Sequence, residues 1–109
     1  MCSIEERDDA TIVRVSGDVD VVGAPTLRQT LIEVLAHGPS THLIIDLSRV
    51  PFIDSTGIGV VAAAYRRVTA RNGRFSTVAT SEAVLRVLEM TGLVKILRVT
   101  SSLDDALRE

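Results

Sequence analysis

Tryptophan is absent from this chain, and aromatic residues of every kind make up only 3% of its 109 residues. Phe52, Tyr65 and Phe75 stand apart from one another, so there is no row of rings on which the bases of a single strand would stack. An excess of basic charge is also lacking. Twelve Lys and Arg stand against 14 Asp and Glu, a formal net charge of −2, with a pI of about 5.6. Such a chain presents no basic field to a nucleic-acid backbone. The one cysteine, Cys2, cannot close an intrachain disulfide, which points to a reducing compartment. Two histidines, His37 and His42, are too few for a zinc site, and no metal is expected. Long apolar runs are missing: GIGVVAAAY at 57–65 is too short to span a bilayer. The opening MCSIEERDDATI is too acidic and polar to read as a signal peptide. The expected setting is cytoplasmic, without nucleic acid and without membrane insertion.

What is present is an ordinary globular balance, 46% apolar and 24% charged, in a length that suits a single domain over 1–109. With so few rings, the core must come from Val, Leu, Ile and Ala. TIVRVSG (11–17) alternates as a strand does, and CSIEER (2–7) can pair with it as an antiparallel edge across a turn at Asp8-Asp9. GDVD (17–20) is then a loop. Pro25 suits the start of a helix, on which Leu27, Leu31, Val34 and Leu35 recur at helical spacing until Gly38 and Pro39 end it. HLIIDL (42–47) reads as a buried parallel strand. Ile58, Val61, Ala62, Tyr65 and Val68 follow a 3.6-residue period, predicting a helix over about 57–71 that stops at Asn72-Gly73. RFSTVA (74–79) is a further strand. Thr80 or Ser81 caps a helix carrying Val84, Leu85 and Leu88 and closed by Gly92. VKILRV (94–99) reads as a last strand, and SLDDALRE (102–109) as a terminal helix with Asp104 and Asp105 in its first turn. The order β-β-α-β-α-β-α-β-α implies an α/β fold with a mixed, mostly parallel sheet of four or five strands and about four helices. In such sheets function gathers in the loops at the carboxyl ends of strands, here 17–20 and 48–57.

The second loop leads into FIDSTGIG (52–59). GIGVVA (57–62) satisfies the dinucleotide fingerprint, but the preceding strand ends near Leu47, about ten residues too early for a tight strand-to-helix turn. The favoured reading is architectural: Gly57 permits a sharp exit from the loop and Gly59 permits close packing. An aspartic-protease motif would place its glycine two positions after the acid and would need a second such acid, or a dimer supplying it; here two hydroxyl residues separate Asp54 from Gly57 and the chain carries no second copy. A serine nucleophile needs a base, and His37 and His42 are expected as exposed loop residues at the opposite end of the sheet. Arg66, Arg67, Arg71 and Arg74 form a basic patch, either a solvated face or a contact for an acidic partner.

What remains is the hydroxyl pair Ser55 and Thr56 at a helix N-terminus. As structure, they are good N-cap residues. As chemistry, the same place tolerates a phosphate, because free N–H groups and the helix dipole favour an anion. A phosphate there adds about −1.5 to −2 charges beside Asp54, with Asp18 and Asp20 in the neighbouring loop, and so changes the character of any binding surface.

SGDVD (16–20), IIDLSRVPFIDSTGIGVVAAAYRR (44–67) and VLRVLEMTGLVKILRVTSSLDDAL (84–107) together resemble the bacterial anti-sigma factor antagonists, single-domain members of the STAS family, over nearly the whole chain. The most specific part is the D-S-T-G-I-G run after an apolar strand and loop. The resemblance implies a STAS-type fold and a protein switch rather than an enzyme, with no cofactor of its own. It implies that the unphosphorylated form binds an anti-sigma factor, a GHKL-type serine/threonine kinase, and so releases a sigma factor. The kinase, using ATP and Mg²⁺, then phosphorylates the antagonist and dismisses it, and a PP2C-type phosphatase resets it. The implied acceptor is Thr56, with Ser55 as second candidate. The implied partner-binding residues are Asp18, Asp20, Asp54, Ser55, Thr56, Gly57 and Ile58. Two positions depart from the usual pattern: Thr56 stands where sporulation-type members have Ser, and Asp18 where Glu is more usual.

A monomer or weak dimer is the expected assembly. The alternative function is a STAS-domain structural subunit, in a stress-signalling scaffold or a lipid-transport complex, in which the same loop only caps its helix and docks a partner.

Overall fold

A computed structural model describes residues 1–36 and 42–108. Its elements follow the expected order: β1 Cys2–Arg7, β2 Ala10–Ser16, α1 Ala24–Ala36, β3 His42–Arg49, α2 Ser55–Ala70, β4 Arg74–Val78, α3 Glu82–Met90, β5 Val99–Thr100 and α4 Leu103–Leu107. The strands form one sheet in the order β1-β2-β3-β4-β5. β1 is antiparallel to β2, and every other pair is parallel. Asp8 makes the β1–β2 turn with φ at 55°, a conformation that Asp tolerates better than most residues. The expected end of α1 at His37, Gly38 and Pro39 lies outside the described residues.

The alternation of β2 and β3 divides the core. Val13, Val15, Leu43, Ile45 and Leu47 face one side, where Leu27 and Leu31 of α1, Val61, Ala64 and Val68 of α2, and Val84 and Leu88 of α3 cover them. Ile12 and Ile44 face the other side, under Ala106, Leu103 and Leu107 of α4. A strand covered on both faces needs an unbroken apolar run, which explains HLIIDL. The two rings among the buried contacts, Tyr65 and Phe75, meet edge to face with centroids 5.7 Å apart, a favoured arrangement. The edge strand β1 carries Glu5, which pairs with Arg7 and Arg14. Hydrogen bonds from both guanidinium groups, Arg14 foremost, hold its carboxyl below the usual range. Charges of this kind keep an edge from pairing with another chain.

Two expectations are corrected. VKILRV is mostly not a strand. The N–H of Leu97 donates to the carbonyl of Leu93 at 2.9 Å and that of Val99 to Val94 at 3.1 Å, so the segment coils as a turn and only Val99–Thr100 joins the sheet. The i, i+4 spacing of Leu93 and Leu97 wins because it drives Leu97 fully into the core, whereas Ile96 stays half exposed. His42 is not an exposed loop residue. It opens β3, is buried, and its Nε2 shares a 2.7 Å hydrogen bond with the hydroxyl of Ser76. Burial lowers its pKa, and the nearby charges of Arg74 and Arg98 lower it further.

Candidate functional site

The loops after β2 and β3 are zipped together by a single parallel bridge between Val19 and Ile53. Val19 donates its N–H to the carbonyl of Phe52 at 2.9 Å and accepts from the N–H of Asp54 at 3.2 Å. Both side chains of the bridge are fully buried, so a short apolar stem fixes the two polar loops side by side. A second tie comes from the start of α3. The hydroxyl of Ser81 donates to the carbonyl of Pro51 at 3.1 Å, and that of Thr80 to Ser48 at 3.3 Å. Ser81 does stand at the N-cap of α3, but its side chain makes no capping bond; it is spent on holding the site loop.

Each loop then turns into a helix over an aspartate. Asp20 Oδ1 accepts from the N–H groups of Val22 and Gly23 at 3.0 and 2.9 Å, just before α1. Asp54 is the N-cap of α2: its Oδ1 accepts from the N–H groups of Thr56 and Gly57 at 2.9 and 3.1 Å. This corrects the capping expected of Ser55 and Thr56, which instead form the first turn of a helix that starts two residues earlier than predicted. Asp wins the cap because it sits at the last extended residue and its carboxylate accepts two N–H groups at once. The hydroxyls of Ser55 and Thr56 are exposed, and neither is hydrogen-bonded among the described residues.

The close-packing role expected of Gly59 falls to Gly57. A Cβ on Gly57 would strike the carbonyl oxygen of Val19 and come within 2.7 Å of Ile53 Cγ1. Gly57 is therefore the close-packing glycine, and Ile58 behind it is buried in the core. At Gly59 an added Cβ meets nothing, because that residue borders a groove of about 430 Å³ between α1 and α2. Arg28, Leu31 and Leu35 line the groove from α1, and Thr56, Gly59 and Arg67 from α2.

The structure thus brings Asp20, Asp54, Ser55, Thr56, Gly57 and Ile58 to one end of the sheet, with Asp18 exposed in the adjoining loop. Val21, Val22 and Phe52 rim them as exposed apolar side chains, Val22 at 85% exposure. Arg66, Arg67 and Arg71 lie toward the far end of α2, where Arg71 donates to the carbonyl of Leu35 at 3.1 Å, and Arg74 opens β4. The bridging role of Val19, the loop ties of Thr80 and Ser81, and the place of Arg28 have no signal in the local sequence, since each depends on a partner roughly 30 residues away. Among the described residues no group of three His, Cys, Asp or Glu could hold a metal. No described helix is long and apolar enough to cross a membrane.

A mixed five-stranded sheet thus presents an aspartate-capped, hydroxyl-bearing helix start beside a second acidic loop. The chain belongs to the STAS domain family, whose family model matches residues 1–106, and within it to the anti-sigma factor antagonists. It is 31% identical over 105 residues to the anti-sigma-F factor antagonist RsfB of Mycobacterium tuberculosis, covering 96% of this chain and 84% of that one. It is 34% identical over 97 residues to the anti-sigma-B factor antagonist of Listeria monocytogenes, covering 88% and 84%. The crystal structure of an anti-sigma factor antagonist from Mycobacterium paratuberculosis superposes with a TM-score of 0.92 at 38% identity, covering 99% of this chain and 91% of that one.

Proposed function

We propose that this protein is a phosphorylation-switched antagonist of an anti-sigma factor, acting as a single domain in the cytoplasm. Its unphosphorylated form binds an anti-sigma factor of the GHKL kinase type through Asp18, Asp20, Asp54, Ser55 and Thr56, and the sigma factor is released; Gly57 and Ile58, expected as contact residues, are buried and instead hold the loop in shape beneath that surface. The apolar rim of Val21, Val22 and Phe52 supplies area, and the acids supply specificity. The kinase then transfers the γ-phosphoryl group of ATP to Thr56. A bond forms between Thr56 Oγ1 and the γ-phosphorus, the bond to the β,γ-bridging oxygen breaks, ADP leaves with that electron pair, and the hydroxyl proton passes to a base of the kinase. The added charge of about −1.5 to −2 falls on a surface that already carries three carboxylates, and the complex would have to desolvate that dianion where a small neutral hydroxyl had packed, which ends binding. A PP2C-type phosphatase restores the hydroxyl. The antagonist itself catalyses nothing and carries no cofactor.

The observation that supports this reading is the capping of α2 by Asp54. Were Ser55 or Thr56 the cap, its hydroxyl would be accounted for by the fold. With the cap supplied by Asp54, two unengaged hydroxyls stand exposed at a helix N-terminus. Incubation with the cognate kinase, ATP and Mg²⁺, followed by site mapping by mass spectrometry, tests it. One phosphate on Thr56 is expected, and the absence of phosphate from both Thr56 and Ser55 would overturn the switch.

A further inference from the structure

Thr56 lines the groove between α1 and α2, whereas Ser55 does not. The two neighbouring hydroxyls therefore differ in what a phosphate on each would meet. Of the N–H groups that the start of α2 could offer an anion, those of Thr56 and Gly57 are already taken by Asp54, which leaves only that of Ser55. A phosphate on Thr56 would have to displace the Asp54 carboxylate to use the other two. It would also stand among like charges, with Asp54 on its own element and Asp18 and Asp20 in the adjoining loop. A stabilising counter-charge must come from a side chain.

The groove supplies one. Arg28 and Arg67 are the charged residues lining it, and no acid does. Neither has an ion-pair or hydrogen-bond partner among the described residues. Their positions are not equivalent. α1 follows β2 and α2 follows β3, these strands are parallel, and both helices cover the same face, so the helices run side by side in the same direction. The bond from Arg71 to the carbonyl of Leu35 joins their far ends. Arg28, in the second turn of α1, accordingly sits nearer the Thr56 end of the groove than Arg67 does. Arg67 is three turns further along α2, roughly 16 Å from Thr56 at about 1.5 Å per residue.

We propose that Arg28 is the phosphate-binding residue of the switched-off state. Its guanidinium pairs with the phosphate on Thr56 across the groove, ties the first turn of α2 to α1, and holds the phosphate in its dianionic form near neutral pH. The inference rests on the phosphorylation reading above. It explains how the fold accommodates a dianion beside three carboxylates without uncapping α2, and it makes Thr56 a better-supported site for the phosphate than Ser55, which lies outside the groove.

The experiment needs no kinase. Phosphothreonine is installed at position 56 by semisynthesis in the full chain, and its second ionisation is followed by phosphorus NMR across pH. The same titration is run on Arg28→Gln and Arg67→Gln forms. Both arginines are exposed, so neither substitution opens the core, and circular dichroism confirms the fold. The midpoint in Arg28→Gln is expected roughly half a pH unit above that of the unsubstituted phosphoprotein, with Arg67→Gln unchanged. An Arg28→Gln midpoint equal to the unsubstituted one, or an equal shift in Arg67→Gln, overturns the assignment. Failure of the kinase to modify Thr56 would instead strike the switch reading and leave this titration standing, so the two failures are distinguishable.

Discussion

The carbonyl oxygen of Val19 occupies the space that a Cβ on Gly57 would need. The loop after β2 can therefore close on α2 only across a glycine, and the two acidic segments of the site are held together through that contact and the Val19–Ile53 bridge.

Gly57→Ala is expected to destabilise the protein by about 1–3 kcal/mol, as overpacking against backbone does, and to loosen the bridge between the loops. Gly59→Ala, where an added Cβ meets nothing, should be neutral or stabilising by roughly 0.5–1 kcal/mol, because alanine is the better helix former. Urea denaturation of the two variants checks both, and equal effects would contradict the division of roles.

Asp54→Ala removes the acceptor for two N–H groups at the start of α2 and should cost about 1 kcal/mol. Asp54→Asn keeps an acceptor oxygen and should lose only a few tenths of that. The same denaturation series separates the capping role from any role in partner binding, which calorimetry against the anti-sigma factor measures.

Thr56→Asp places a charge where the hydroxyl stood, at an exposed position. The fold should be unaffected, and affinity for the anti-sigma factor should fall roughly tenfold or more, about 1.4 kcal/mol. Unchanged affinity with an intact fold would contradict the charge mechanism.

His42 predicts a pH dependence of stability. In the unfolded chain its imidazole protonates near the ordinary 6.5, whereas in the folded protein burial, Arg74 and Arg98 hold the pKa lower. Between those two values the unfolded state binds the extra proton, so stability falls as pH drops below about 6.5 and is fully present above it. Urea midpoints between pH 7.5 and about 5, above the range where carboxylates protonate, should show this slope. His42→Asn should be less stable at pH 7.5 and should lose it. A slope that survives in the variant would assign the effect elsewhere.

Much of the fold was legible because hydrophobic period is a local property. The two-sided burial of β3 is written in HLIIDL, and the stripe Ile58, Val61, Val68 fixes the inner face of α2. The terminal segment VKILRV misled for a physical reason. Its apolar residues fit an alternating strand and a helical turn equally well, and the choice fell to tertiary packing, which buries Leu97 fully and leaves Ile96 half exposed. His42 misled likewise: nothing beside it in the chain announces Ser76, which lies 34 positions away and meets it across two paired strands.

The same division holds at the site. The run Asp54-Ser55-Thr56-Gly57 already determined, by residue type and spacing, that an acid and two hydroxyls would meet the start of a helix. The tertiary structure decided which of them does what. Asp54 became the cap because the bridge to Val19 holds it extended at the last position before α2, which released the hydroxyls. Gly57 became the contact and Gly59 the open face because α2 packs against the 17–20 loop on one side and leaves a groove toward α1 on the other. Arg28 came to stand at that groove because two parallel crossovers lay α1 and α2 side by side. A sequence specifies which groups are available, but capping, close approach and charge pairing act over a few ångströms, and only the folded chain brings residues about 30 positions apart within that range.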